Sequence, residues 1–517
     1  MARFRAAFFA GFFLWNAQQP VLAQDVTLTS PDGAVEVSGN LLGFDGEFYR
    51  IDTRFGELTL DGSGVLCDGP GCPNLSDYVA EVGFSGESTM ADVLLPALIE
   101  GFALHGGFRA ERHVESSARF RYDLFDLHQK RMVAQFTFHA TSTDEGFADL
   151  LANEADIVMA LREIRPRERR LARIASMGDL SERGRVLALD AIVPVVAPEN
   201  PLRQISPLEL AKVLAGQIDN WSELGGPDAP ISVHLPQDGS GLTQAAEDRI
   251  LRPQGLDLMS DPVRHTRNDA LVKAVGRDPL ALGLTSYSGL GVTRALKLDG
   301  SCGSALTASR RSIKTEDYPL TAPMFLYLPA RRLPHVAREF LAYSRSPAAQ
   351  IVIRRAGLVD QLPEQISVAM QGHRFANAIR SAGGEVTLLE LQRMVALLEP
   401  MARLTTSFRF EAGSSRPDAQ SRDNVLQLAR ALEAGDYDAK QLVLVGFSDG
   451  EGPADGNKRI AESRAKAVRE AVLRAAETVD PDTLQIEIAA FGEALPMACD
   501  DSAWGRKINR RVEVWVR

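Results

Sequence analysis

The stretch PQDGSGLTQAAEDRI, Pro236–Ile250, holds the residues best suited to chemistry. Gly239 and Gly241 flank Ser240, and a helix-like run follows at once. A Gly-Ser-Gly turn feeding a helix start presents several backbone N–H groups, an arrangement suited to an anion. Taken alone, the same turn is an ordinary N-capped helix. Ser240 lacks the G-x-S-x-G spacing of an activated nucleophile. His234, the nearest histidine, carries no mark of a general base, so no enzyme is expected. The eight histidines form no HxxxH or Cys/His spacing, and neither a metal nor a cofactor is expected. Cys67 and Cys72, in LCDGPGCP, are separated by a Gly-Pro-Gly turn that brings them together, so a disulfide is expected there. Cys302 and Cys499 lie far apart in sequence and are expected to stay unpaired.

The elements that must position these residues belong to a chain of 517 residues, long enough for two to four domains. Hydrophobic and charged contents of 45% and 24% are those of globular protein. A net charge of −11 argues against nucleic acid as a partner. Residues 1–23 carry Arg3 and Arg5, an apolar run from Ala6 to Trp15, and Val21-Leu22-Ala23. That is the pattern of a secretory signal peptide cleaved after Ala23. The run is too short to span a bilayer, and no later segment has the pattern of a membrane span.

Residues 25–75 alternate or run apolar between PDG, FDGE and DGSG turns, which predicts a small antiparallel β module. From about residue 80 to 360, strand and helix patterns alternate, as in α/β layers. Residues 361–404 contain two helical patterns around Gly383-Gly384 and are expected to connect domains. The segment 405–517 follows a βαβαββ order, that of a compact α+β domain.

Several stretches of the middle region occur in the order seen in one known family: ALDAIVPVVAPENPL, LAGQIDNWSELGGPDAPI, DGSGLTQAAED, YPLTAPMFLYLP and SPAAQIVIRRAGLV. Residues 80–360 thereby resemble the periplasmic phosphate-binding proteins of ABC transporters. The resemblance implies two α/β lobes joined by hinge strands, with phosphate or a related oxyanion in the cleft and an ABC permease as a further partner. It implies one hydroxyl-bearing helix start from each lobe at the anion: Gly86, Ser88 and Thr89 in SGEST, and Gly239, Ser240 and Gly241 in DGSG. Hydroxyl and N–H groups suit a tetrahedral oxyanion, each oxygen of which needs several donors once dehydrated.

The chain departs from that family's pattern in two places. Pro236 or Gln237 stands where an arginine is usual before the turn, and Leu242 replaces a threonine after it. Near ADIVMALREIRP, Leu161 stands where a small hydroxyl residue is usual, and Arg162 beside it is the candidate for the missing charge. Losses of this kind weaken a dry phosphate site by about 1–3 kcal/mol for each missing partner of a charged group.

The stretches GFSDGEGPADGNKRIAESRAKAVREAV and GRKINRRVEVWV resemble the OmpA-like peptidoglycan-binding domain. The resemblance implies that Asp449 and Arg464 grip the diaminopimelate of the peptidoglycan stem peptide, with Asn457 as a weaker third member. A carboxylate acceptor and a planar guanidinium fork are complementary to that residue's ammonium and carboxylates. The bland alternatives are a mutual salt bridge for Asp449 and Arg464, a helix cap for Asn457, and a structural role for Arg510 and Arg511.

The expected architecture is therefore multidomain, α/β and α+β. A small N-terminal β module precedes a two-lobed periplasmic-binding-protein domain and a C-terminal OmpA-like βαβαββ domain. The expected function is a periplasmic solute-binding protein for phosphate or a related oxyanion, anchored non-covalently to peptidoglycan. The alternative is a structural or interaction protein of the envelope whose solute-binding domain no longer binds a small anion.

Overall fold

The computed structural model describes residues 25–75, 77–303, 305–411, 413–479 and 485–517, and the expected signal peptide lies outside them. The chain divides into two compact units: Met1–Ala80 with Leu333–His335, and Glu81–Arg332 with Val336–Arg517.

In the first unit, strands Val26–Thr29, Glu36–Phe44, Phe48–Thr53 and Gly56–Asp61 form an antiparallel sheet with the short strand Leu66–Asp68. Alternation places Val26, Leu28, Tyr49 and Ile51 on one face as its core. Cys67 and Cys72 form the expected disulfide and pack against that core. Gly69, inside the closed loop, holds φ at 126°, and a Cβ on it would lie 2.4 Å from the Asp25 carbonyl oxygen. The tight loop therefore requires glycine.

The second unit is organised by the strand Gly184–Val196, apolar at nearly every position and buried along almost its whole length. From Gly184 to Ala191 it pairs antiparallel with Thr321–Tyr327; from Ile192 to Val196 it pairs with Ala281–Ser286. One strand thus serves two lobes, as hinge strands do. On one side the sheet continues through Ile157–Ala160 and Ala80–Glu87 to a meander of Phe108–Val114, Arg119–Asp126 and Arg131–Thr141. On the other it continues through Ser232–Pro236 to Val263–His265. Phe138 stacks between Phe84 and Phe120, with Tyr122 edge-on to Phe120 and Phe138, which ties the meander to the lobe core.

The C-terminal sheet has the order Gln365–Ser367, Ala402–Phe408, Arg511–Val516, Leu442–Phe447, Ile486–Ala490. Leu442 and Leu444 face the helices Ala419–Glu433 and Ala454–Ala475, whereas Val443, Val445 and Trp515 face Gly372–Ser381 and Leu388–Leu398. Residues 361–404, expected as a connector, supply an edge strand and one covering layer of this sheet. The physical reason is visible in QLVLVGF: its strand is apolar on both faces, and both need cover.

Cys302 and Cys499, expected to be unpaired, form a disulfide across a sequence separation of 197. Sequence distance was the wrong guide, because the fold carries the loop after Lys297–Asp299 to the loop before helix Ala503–Asn509. Buried charge ties the turn after helix Arg310–Lys314 to the strand Ala402–Phe408 and its end. Asp317 accepts two hydrogen bonds from Arg403, at 2.7 and 3.1 Å, and one from Arg409 at 3.1 Å. Among the described residues, no helix is long and apolar enough to cross a membrane.

Candidate functional site

The strand Ala80–Glu87 ends in the SGEST turn, from which a continuous helical run over 88–106 starts. Gly86 sits at φ 130°, and a Cβ there would lie 2.1 Å from the Met159 carbonyl oxygen of the adjoining parallel strand. Only glycine permits that turn. In the other lobe, strand Ser232–Pro236 ends at the DGSG turn with Gly239 at φ 72°. A second helical run, over 241–254, follows. Ser240 caps it, accepting from the Thr243 N–H at 3.2 Å and donating to Thr243 Oγ1 at 3.0 Å. His234 is an ordinary strand residue whose ring nitrogens contact Ser232 Oγ and His265 Nε2, each at 3.0 Å.

The two turns meet at Glu87, which is only 1% exposed. Its Oε1 accepts from the Thr89 N–H at 3.3 Å, from Thr89 Oγ1 at 3.2 Å and from Ser88 Oγ at 3.5 Å. Its Oε2 lies directly over Gly241, where an added Cβ would sit 1.4 Å from it. The Gly241 N–H faces the carboxylate and favours its charged form, although Oε2 makes no hydrogen bond of regular geometry. Burial outweighs all these donors and pushes the carboxyl up to about 7. Glu87 is the residue that sequence reasoning missed. Its signal was an acid lodged between a buried strand end and a Ser-Thr pair.

Arg162 does not serve as the missing charge, which corrects the expectation placed on it. Its guanidinium is buried and bonded to Asp144 at 2.5 Å and to both Glu168 oxygens, at 2.6 and 2.9 Å. Two carboxylates already neutralise it, and they keep it protonated against the penalty of burial. Arg165 extends the network, bonding Asp144 at 3.0 Å and Asp248 at 2.9 Å. Asp248 belongs to the helical run that Ser240 caps, so this pair links the lobes near the two turns.

In the C-terminal domain, Asp449 follows the strand Leu442–Phe447, and Arg464 projects from the helix Ala454–Ala475. Both are buried. They do not pair: Asp449 Oδ2 accepts from Arg510 at 2.6 Å, and Oδ1 from the Glu451 N–H at 3.3 Å. Arg464 lies over the Phe410 ring at 5.3 Å, and its Nε and Nη1 are buried without a hydrogen-bond partner. Burial and the nearby Arg510 lower its pKa, while Asp449 opposes them. Asn457 donates to the Gly452 carbonyl at 3.3 Å and to Glu493 at 2.6 Å, which fixes the loop after Asp449. Arg511 is fully buried, bonding Glu513 and two backbone carbonyls. Beside this loop, a cavity of about 470 Å³ is lined by Gly450, Glu493, Asp500, Arg380 and the Cys302–Cys499 disulfide.

Residues 127–348 match the model of the PBP superfamily domain, and residues 409–510 match that of the OmpA family. The chain thus carries a PBP superfamily domain followed by an OmpA family domain. It is 28% identical to Protein SphX of Synechococcus elongatus over 203 residues, covering 37% of this chain and 59% of that protein. It is 32% identical to Outer membrane protein A of Bordetella avium over 112 residues, covering 22% of this chain and 53% of that protein. The crystal structure of an ABC-type phosphate transport receptor from Vibrio cholerae aligns with a TM-score of 0.42 at 19% identity, covering 54% of this chain and 99% of that one. The chain spans less than two thirds of the length of the curated relatives it matches.

Proposed function

We propose that this protein is a periplasmic oxyanion-binding protein held non-covalently on peptidoglycan. The observation that carries the wall-binding half is Arg464, a buried guanidinium with two N–H-bearing nitrogens unused, within the field of Asp449. An unpaired buried donor is costly unless a ligand completes it, and a carboxylate of the diaminopimelate stem residue is a fitting partner for this fork. The ammonium of the same residue pairs with Asp449, in competition with Arg510. The oxyanion half is supported by the convergence of the SGEST and DGSG turns on a negatively chargeable group. Phosphate is the leading ligand by relation to the phosphate-binding protein PstS of Borreliella burgdorferi, 22% identical over 182 residues, and an ABC permease is a fitting partner. No catalytic role is proposed.

The test is co-sedimentation of the full chain with purified sacculi. Wild type is expected in the pellet, and an Asp449→Ala/Arg464→Ala double variant in the supernatant. Equal pelleting of the two would remove the site. A second reading, in which the two-lobed domain is an envelope interaction module, is favoured by one observation: the charge of Arg162 is consumed by Asp144 and Glu168.

A further inference from the structure

Glu87 stands where a ligand would. Its side chain belongs to the same turn as Ser88 and Thr89, yet it folds back so that Oε1 takes the Thr89 N–H and both hydroxyls. Oε2 meanwhile rests on the start of the opposite lobe's helical run, so close to Gly241 that any larger residue there would collide with it. These are donors from the two turns that the oxyanion reading assigns to phosphate. No ion pair to Glu87 exists among the described residues, so nothing else accounts for its place. A charged side chain driven into a dry interior without a salt bridge is costly. Its position is intelligible as that of an occupant, with two carboxylate oxygens taking the place of two oxygens of a tetrahedral anion.

We propose that the Glu87 carboxylate is a tethered internal ligand that fills the anion site and bridges the two lobes, so that an external oxyanion binds only by displacing it. This rests on the oxyanion reading of the cleft. A tethered group competes at a high effective concentration, millimolar or more for a short link. The apparent affinity for a free anion then falls by the fraction of molecules whose site is open. The same contact supplies the negative oxygens that the donors of the SGEST turn need and sets them against the start of the other lobe's helical run. Gly241 acquires a specific role in this scheme: it is the floor on which Oε2 rests.

The experiment is calorimetric titration of the full chain with inorganic phosphate, comparing wild type with Glu87→Ala and Glu87→Ser. Circular dichroism checks that each variant is folded, and the serine variant stands in if the alanine variant does not fold. Removal of the carboxylate is expected to tighten phosphate binding by about tenfold to a hundredfold, corresponding to a site open in a tenth to a hundredth of wild-type molecules. Formate, a free carboxylate of the right size, is expected to raise the melting temperature of the variants and leave wild type unmoved. Equal phosphate affinity in wild type and variants would overturn the internal ligand while leaving the oxyanion reading intact. Folded variants that respond to neither phosphate nor formate would overturn both.

Discussion

Replacing Asp317 by alanine tests whether buried charge fastens the binding domain to the C-terminal domain. Asp317 is 6% exposed; Thr315 Oγ1 donates to it at 2.8 Å, beside the three arginine hydrogen bonds. Burial alone would raise its pKa, but Arg403, Arg409 and Arg374 hold it well below the usual carboxylate range. In the Asp317→Ala variant, Arg409 keeps the carbonyls of Thr315, Glu316 and Ile508. Arg403 fares worse. It loses its bidentate partner and retains only Glu513, with Nε 3.4 Å from Oε2. Breaking a buried pair costs about 3–5 kcal/mol. The remaining Glu513 contact and the carbonyls on Arg409 place the expected loss at the lower end, about 3 kcal/mol. Trp515 reports on this region, since its Nε1 bonds the other face of the network at Glu513 Oε2, 3.1 Å away. The assay is urea unfolding followed by tryptophan fluorescence. Because an uncompensated charge is the main penalty, Asp317→Ala/Arg403→Met should lose less stability than Asp317→Ala alone. A single-variant loss under about 1 kcal/mol, or a double variant that loses as much stability as Asp317→Ala or more, would refute the reasoning.

Replacing Cys302 and Cys499 by serine reopens a loop of 197 residues. The chain-entropy model gives up to about 5 kcal/mol for such a loop, so a lowered melting temperature is expected, and an unchanged one counts against the bond. Stability should also fall from pH 5 to pH 8. Glu87, Asp190 and Glu316 are raised by burial to about 7, 6 and 8, so their contribution is complete below pH 4 and is lost as pH rises through those values. Glu364 and Glu513, held near 2 by Arg310 and Lys314 and by Arg374, Arg403 and Arg511, oppose this only below about pH 4, whereas His234 and His265, lowered by burial, oppose it within the window by smaller shifts. A melting temperature that climbs from pH 5 to pH 8 would contradict the assignment. Asn457→Ala should cost about 1–2 kcal/mol of stability by orphaning Glu493 and the Gly452 carbonyl, with a smaller effect on sacculus binding than Arg464→Ala.

Local pattern made the strands of the small β module legible, because each alternates over a few residues and closes on a marked turn. It also made legible the positions of the SGEST and DGSG turns and of Asp449, which lie at strand ends next to helix starts, and of Arg464 within the following helix. The meander over 108–141 was only partly legible: FRYDLFD and RMVAQFTFHA pack aromatic rings from neighbouring strands, a pairing that one strand's pattern does not encode. The role of residues 361–404 was hidden for a related reason. A helix pattern states that one face is apolar and leaves open which sheet covers it. Charge was the least legible of all. Arg162 looked like a free cation beside a motif, and its two acids, Asp144 and Glu168, reach it only through the fold. Glu87 was not legible because it is an acceptor set among hydrogen-bond donors, and only the fold turns its side chain back onto them.

The edge strand Gln365–Ser367 bears on how a wall-bound copy would meet its solute. The binding domain's last helix, Pro347–Arg355, is followed almost at once by this strand, and Glu364 exchanges backbone and hydroxyl hydrogen bonds with Thr405. Lys314 and Arg310 clamp Asp360 and Glu364 on the way. Such a joint has no slack of the kind a Gly/Ser linker provides. A copy fixed to the sacculus would therefore not tumble at the end of a leash; its cleft would keep a set bearing relative to the glycan mesh. Encounter would then depend on the diffusion of the solute alone. Any protein that collects from the cleft would have to approach along that bearing, like a key to a lock mounted in a door.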